Sequence, residues 1–355
     1  MPSELAHFYS RTRDSRKVIV VDLGFLGDTI HLVPALWELK TAYPNAQLHV
    51  LTSPLGTEVL KMAPCVDRSW SVEMQRDTRT LGEQWRVLRA LRREHFDVAY
   101  NFSGADRTIF MTALTGARWR VAHPGGRRHF WNAWLIPDWI PRQDPRVLVS
   151  EQRRRMLEAC GVPLGKARYD LAIDRSCDEW AAGLVGSSAI HLSPNASKPT
   201  REWPLENQAA MLGILWSKHP ELTVAVSSDP QPRQVDRLES LVKRVQDPRL
   251  KVLPNKVTIS QLAALLKRCR LHVGPDSGVL HLAAALDVPT VSLFRQGGYR
   301  SSFMPAGPEH RVISVPCRCE EDRGSACERL GRAECLAAIG PEQVAAVISD
   351  ILRVV

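Results

Sequence analysis

VIVVDLGFLGDTIHLVPALWELK (18–40) is the stretch that decides the fold class. Its first six residues form an apolar, largely β-branched run of the kind found in strands covered on both faces. A turn holding Gly24 and Gly27 follows. Ile30, Val33, Leu36, Trp37 and Lys40 then recur at helical spacing, which predicts a helix over 29–43. Strand, glycine turn and helix open a βαβ unit, and hence a parallel sheet.

The same rhythm continues outward from this stretch. Strand-like runs stand at 47–51, 97–102 and 118–122, with helices predicted over 80–94 and 105–115. Residues 124–150, with four prolines and three tryptophans, read as an excursion from the sheet. A helix at 151–160 and a polar, irregular stretch at 162–187 lead to a second series. Its strands are 189–193, 222–227, 250–253, 271–274 and 290–294, and its helices are 206–218, 231–246, 259–268 and 278–286. A last helix is predicted over 341–355, with Pro341 in its first turn. A chain of 355 residues exceeds one ordinary core. The expected class is α/β, divided into a Rossmann-like unit over 1–170, a second over 171–340 and a terminal helix over 341–355.

Apolar residues at 44% and charged residues at 24% match a soluble globular chain. No apolar run is long enough to span a bilayer, and the first 16 residues lack the apolar core of a secretory signal, so a cytoplasmic protein is expected. Lys and Arg outnumber Asp and Glu by 47 to 38, a net charge of +9. That surplus suits a phosphorylated substrate or an anionic membrane. It is spread along the chain without a basic arm, which argues against nucleic acid. Cys65, Cys160, Cys177 and Cys269 lie scattered, whereas Cys317, Cys319, Cys327 and Cys335 fall within 19 residues. Four soft thiolates so close suit a structural zinc or iron ion; free thiols or a disulfide are the other readings.

Three loops at the carboxyl ends of predicted strands carry site chemistry, where ligands of open α/β sheets bind. The first is GFLGD (24–28). Its spacing is not that of the dinucleotide fingerprint. Asp28, at a helix start, is either a cap for free backbone N–H groups or a general base. The second is SPNASKPTREWPLENQ (193–208), in which Ser193, Asn195, Ser197 and Thr200 supply polar groups and Lys198 and Arg201 positive charge. Such a loop suits a nucleotide diphosphate that gains charge on leaving. The third is GPDSGVLHLAAAL (274–286). Asp276, Ser277 and Gly278 open a helix whose free N–H groups make an anion site, with His281 one turn on.

Taken together and in this order, these segments resemble the signatures of glycosyltransferase family 9, the ADP-heptose:lipopolysaccharide heptosyltransferases, over roughly residues 17–350. The resemblance implies the GT-B fold, two Rossmann-like domains facing a cleft, and inverting transfer without a catalytic metal. It also implies an ADP-heptose donor, an anionic lipopolysaccharide inner-core acceptor, and peripheral contact with the cytoplasmic face of the inner membrane. Asp28 matches the family's catalytic base, and Arg201 stands where lysine is usual in K-x-W-P. Ser193, Asn195, Lys198, Asp276, Ser277, Gly278 and His281 fall in donor-binding positions, with Ser277 replacing a common threonine. After the next strand, SSDPQPRQ (227–234) offers only Asp229 where the family often has an acid for the ribose.

Two basic, aromatic segments are candidates for the acceptor side. Helix 80–94 sets Leu81, Trp85, Leu88 and Leu91 on one side and Arg86, Arg89 and Arg93 on another, a solvated face or an anionic contact. RWRVAHPGGRRHFWNAW (118–134) contributes Arg120, Arg127, Arg128 and His129. Alternative functions are a related transferase with another nucleotide sugar or a protein acceptor, a nucleotide-sugar epimerase, and an inactive glycan-binding homologue.

Overall fold

The computed structural model describes residues 4–73, 81–125, 132–186, 188–253, 257–295, 302–316 and 325–354. The chain divides into two compact units, Met1–Ala172 and Ile173–Val355.

The first unit runs α1 (Phe8–Thr12), β1 (Lys17–Val21), α2 (Leu26–Ala42), β2 (Gln47–Thr52), α3 (Pro54–Leu60) and β3 (Arg68–Ser71). It continues with α4 (Leu81–Arg93), β4 (Val98–Asn101), α5 (Asp106–Leu114), β5 (Trp119–Ala122), α6 (Asn132–Leu135), β6 (Asp138–Trp139) and α7 (Val149–Ala159). Its six strands pair in the order β3-β2-β1-β4-β5-β6, all parallel. This is the doubly wound arrangement, whose order reverses between β1 and β4. The apolar run in β1 now has its cause. Val18 and Val20 pack with Leu32, Leu36 and Leu39 of α2 and Met156 and Leu157 of α7, while Ile19 and Val21 pack with Leu88 and Leu91 of α4.

The second unit begins with α8 (Arg175–Ala182), β7 (Ala189–Leu192), α9 (Leu205–Lys218), β8 (Thr223–Val226), α10 (Pro232–Val245) and β9 (Leu250–Val252). It continues with α11 (Ile259–Arg268), β10 (His272–Pro275), α12 (Gly278–Ala285), β11 (Thr290–Leu293) and β12 (His310–Ile313), and closes with α13 (Ser325–Leu330), α14 (Glu334–Ala337) and α15 (Pro341–Val354). The sheet order β12-β11-β10-β7-β8-β9 repeats the first topology, with its reversal between β7 and β10. Leu192, Val224, Val273 and Val291 of the sheet pack with Leu212 and Leu215 of α9 and Val344 and Ile348 of α15. The terminal helix is therefore part of this unit's core.

Several sequence expectations change. The excursion at 124–150 is not wholly outside the sheet, because β6 pairs in parallel with β5 through Val121–Asp138 and Ala122–Trp139. Two residues between prolines leave no periodicity to read. The stretch 162–187 is not irregular throughout, since α8 lies in it and packs on α11. The short elements β3, β12 and α3 add to the expected set.

Candidate functional site

In the first unit the site is built on the loop from β1 to α2. Asp28 is the third residue of α2, and its Oδ2 accepts the backbone N–H of Phe25, the N-cap, at 2.9 Å. Asp28 thus satisfies one free N–H by reaching back, which is the capping part of its work. Among the described residues its Oδ1 makes no hydrogen bond. Gly24 is required here, because a Cβ at that position would lie 2.3 Å from the Asp28 Cβ.

The loop is held from beneath by charge. Asp22, buried at the end of β1, accepts the Gly24 N–H through Oδ1 and pairs through Oδ2 with Arg153 of α7 at 2.6 Å. The same guanidinium donates to the Asp28 carbonyl. Arg154, next along α7, bonds the buried Glu38 of α2 at 2.9 Å. Burial raises the Asp22 pKa against the pull of Arg153, and the Asp28 carboxylate pushes it in the same direction. Neither Asp22 nor Arg153 stood out in the sequence, being 131 residues apart. Phe25, also missed, is 87% exposed, and its backbone N–H meets the Asp28 carboxylate.

In the second unit the loop after β7 and the turn from β10 to α12 meet at the point where the strand order reverses. Arg201 Nη1 lies 3.2 Å from Asp276 Oδ2, and Asp276 Oδ1 lies 3.6 Å from His281 Nε2. The structure therefore brings Arg201, Asp276 and His281 together. Ser277 is the N-cap of α12, and its Oγ is buried without a hydrogen-bond partner among the described residues. Lys198 is exposed and has no ion pair among the described residues. Asn195 turns inward: both hydrogens of its amide are spent, on Ser228 Oγ and the Gln234 carbonyl, each at 2.9 Å. Ser193 is buried beside it, with Oγ 3.5 Å from the Asn195 carbonyl. The unlooked-for anchor of this loop is Glu202, which accepts from the Ala196 N–H and pairs with Arg233 and Arg237 of α10. Asp229 is exposed and caps its own turn through the Gln231 N–H.

Below these loops, His191 of β7 and His272 of β10 stand side by side, with Nδ1 atoms 2.9 Å apart. The other His191 nitrogen meets Ser227 Oγ at 2.9 Å. One Nδ1 must carry the hydrogen and the other its lone pair, so the two rings cannot both be charged. Burial holds the His191 pKa down to about 3 and His272 well below its ordinary value. A pKa lower in the folded than in the unfolded chain gives stability that is full above the unfolded value of 6.5 and lost as pH falls from there. Each pH unit costs about 1.4 kcal/mol per ring. The melting temperature accordingly drops between pH 7 and pH 5, and the drop is smaller in His272→Gln. An undiminished drop removes the pair as its cause.

The remaining sequence candidates stand apart. Arg120 donates to the carbonyls of Leu135 at 2.8 Å and Ala117 at 2.6 Å. Arg127, Arg128 and His129 lie outside the described residues, as do Cys317 and Cys319. Cys327 and Cys335 are buried in the apolar core of the second unit. Among the described residues no group of three or more metal-ligating side chains is assembled. On α4, Leu88 and Leu91 are buried as expected, but Trp85 is 61% exposed instead of joining them. With Leu114 and the arginines Arg89, Arg92 and Arg93 it lines a cleft of about 380 Å³. No helix among the described residues is long and apolar enough to cross a membrane.

Comparison with known proteins places these features. The family model for glycosyltransferase family 9 (heptosyltransferase) matches residues 84–331. Lipopolysaccharide heptosyltransferase 1 of Pseudomonas aeruginosa is 24% identical over 361 residues, covering 95% of this chain and 98% of that one. The glycosyltransferase family 9 structure from Veillonella parvula superposes with a TM-score of 0.82 at 19% identity, covering 96% of this chain and 98% of the other. The ADP-heptose lipopolysaccharide heptosyltransferase II of E. coli does so with a TM-score of 0.75 at 18% identity, covering 95% and 98%. The shared fold is GT-B.

Proposed function

Because the chain belongs to glycosyltransferase family 9, whose model spans well over half of it, we propose that it transfers heptose from ADP-L-glycero-D-manno-heptose to the inner core of lipopolysaccharide, with inversion at the anomeric carbon. One observation carries the mechanism. Asp28 has one carboxylate oxygen bonded to its own helix start and the other left without a bond among the described residues. On this reading that oxygen takes the proton of an acceptor hydroxyl as the hydroxyl attacks the anomeric carbon. The ADP leaves from the opposite face. Its growing charge is met by the free N–H groups opening α12, by Ser277 and by the cations Lys198 and Arg201. The exposed Phe25 ring offers an apolar face to an acceptor sugar.

The deciding experiment is transfer from ADP-heptose to a panel of truncated core lipopolysaccharides, with and without EDTA. Product on one acceptor, formed equally with EDTA, supports the reading. A chain that binds ADP-heptose but glycosylates none of them belongs to a transferase of another acceptor, and one that binds no ADP-heptose uses another donor.

The reading includes a cytoplasmic enzyme working at the inner membrane, with α4 as the face that meets it. Exposed Trp85 suits the interfacial layer, and arginines beside it suit anionic headgroups, each worth about 1 kcal/mol near such a surface. The protein should sediment with phosphatidylglycerol vesicles and not with phosphatidylcholine, and Trp85→Ala should weaken this several-fold. Equal sedimentation with both lipids, or no effect of the substitution, removes α4 from the reading.

A further inference from the structure

We infer that Arg295 is the principal counter-charge for the donor's diphosphate, an inference that rests on the nucleotide-diphosphate reading above. The residue follows β11 and is only 4% exposed. Its Nη1 reaches the Thr200 carbonyl at 3.5 Å, a long bond, and its Nε has no partner among the described residues. Among the described residues no carboxylate lies within ion-pair distance of it.

That isolation contrasts with the other arginines of the same loops. Arg233 and Arg237 share the buried Glu202, and Arg201 is engaged by Asp276. Arg201, the cation that the sequence offers for the leaving group, is thus already partly neutralised. Among the described residues, Arg295 alone of these four stands buried without an anion. A buried guanidinium lacking a counter-ion is costly, and an anionic ligand is the natural compensation.

Its position supplies the ligand's chemistry. Leu293 pairs in register with Pro275, so Arg295 and Ser277 each lie two residues beyond that pair on neighbouring strands. Ser277 is the N-cap of α12, with a buried Oγ that also lacks a partner among the described residues. Thr200, whose carbonyl Arg295 touches, precedes Arg201, which is tied to Asp276. Two polar groups with buried atoms lacking a partner among the described residues, one of them a planar cation, thus follow neighbouring strand ends beside the start of α12, where a helix leaves its first N–H groups without intrahelical partners. A guanidinium fork there fits phosphate oxygens two at a time.

The test is calorimetric titration of the full chain with ADP and with adenosine, comparing wild type, Arg295→Met and Arg295→Lys, beside their melting temperatures without ligand. We expect Arg295→Met to weaken ADP binding roughly 30-fold or more, to leave adenosine binding unchanged, and to melt no lower than wild type. Arg295→Lys should recover part of the ADP affinity. Wild type that fails to bind ADP overturns the donor reading, and the inference with it. Wild type that binds ADP while Arg295→Met binds it within threefold overturns the inference alone. Loss of adenosine binding, or a markedly lower melting temperature in Arg295→Met, makes Arg295 a structural residue and also overturns it.

Discussion

Replacing Asp28 with asparagine lowers kcat for heptose transfer by roughly 10²–10⁴-fold, the range for loss of a positioned general base, while donor KM and melting temperature stay near wild type. Asparagine is the informative substitution because Asp28 has two tasks. Its Oδ2 accepts the Phe25 N–H, and an amide oxygen does this equally well. The chemistry needs a basic oxygen, which an amide does not have. Alanine confounds the two, since losing a helix-start cap costs about 1 kcal/mol. Steady-state kinetics beside thermal melting separate them. Activity of Asp28→Asn within tenfold of wild type would falsify the assignment of Asp28 as base.

The second large effect is on stability. Arg153→Met leaves Asp22 buried without its partner, 2.6 Å away in the native protein, and withdraws a donor from the Asp28 carbonyl. Breaking a buried pair from one side costs about 3–5 kcal/mol, which for a unit of this size lowers the melting temperature by about 10 °C. Burial already raises the Asp22 pKa and loss of Arg153 raises it further, which favours the neutral carboxyl and moderates the loss. The double variant Asp22→Asn/Arg153→Met removes both charges and keeps an acceptor for the Gly24 N–H. Its melting temperature should recover much of the fall, because a buried pair replaced as a unit is often close to neutral. Its kcat should stay below wild type, because the guanidinium bond from α7 to the Asp28 carbonyl is still missing. A double variant with both properties restored shows that the pair serves the fold alone.

What the sequence made legible follows from range. The apolar run at 18–21 and the helix behind it are local signals, and the alternating order fixes a parallel sheet once each strand is found. The three loops were visible because glycines, prolines and polar residues cluster at strand ends. β6 was not, since two residues carry no period. The partners of the site were hidden for a related reason. Arg153 is one of three consecutive arginines and becomes distinctive only when α7 lies against α2. Arg295 follows an apolar strand, and nothing nearby in the sequence says that it is buried without an acid. Asn195 is a different case, because the two hydrogens of its amide are bonded inside the unit while its buried Oδ1 has no partner among the described residues.

The brace under Asp28 also sets an order of events during synthesis. Residues 22 and 28 leave the ribosome early, whereas the arginine that grips them lies 131 and 125 positions later. At about 5–20 residues per second, the loop waits on the order of ten seconds for α7 to emerge. The part of the active centre made first is thus braced only near the end of its own unit, and a nascent chain ending before α7 carries the GFLGD motif without its support.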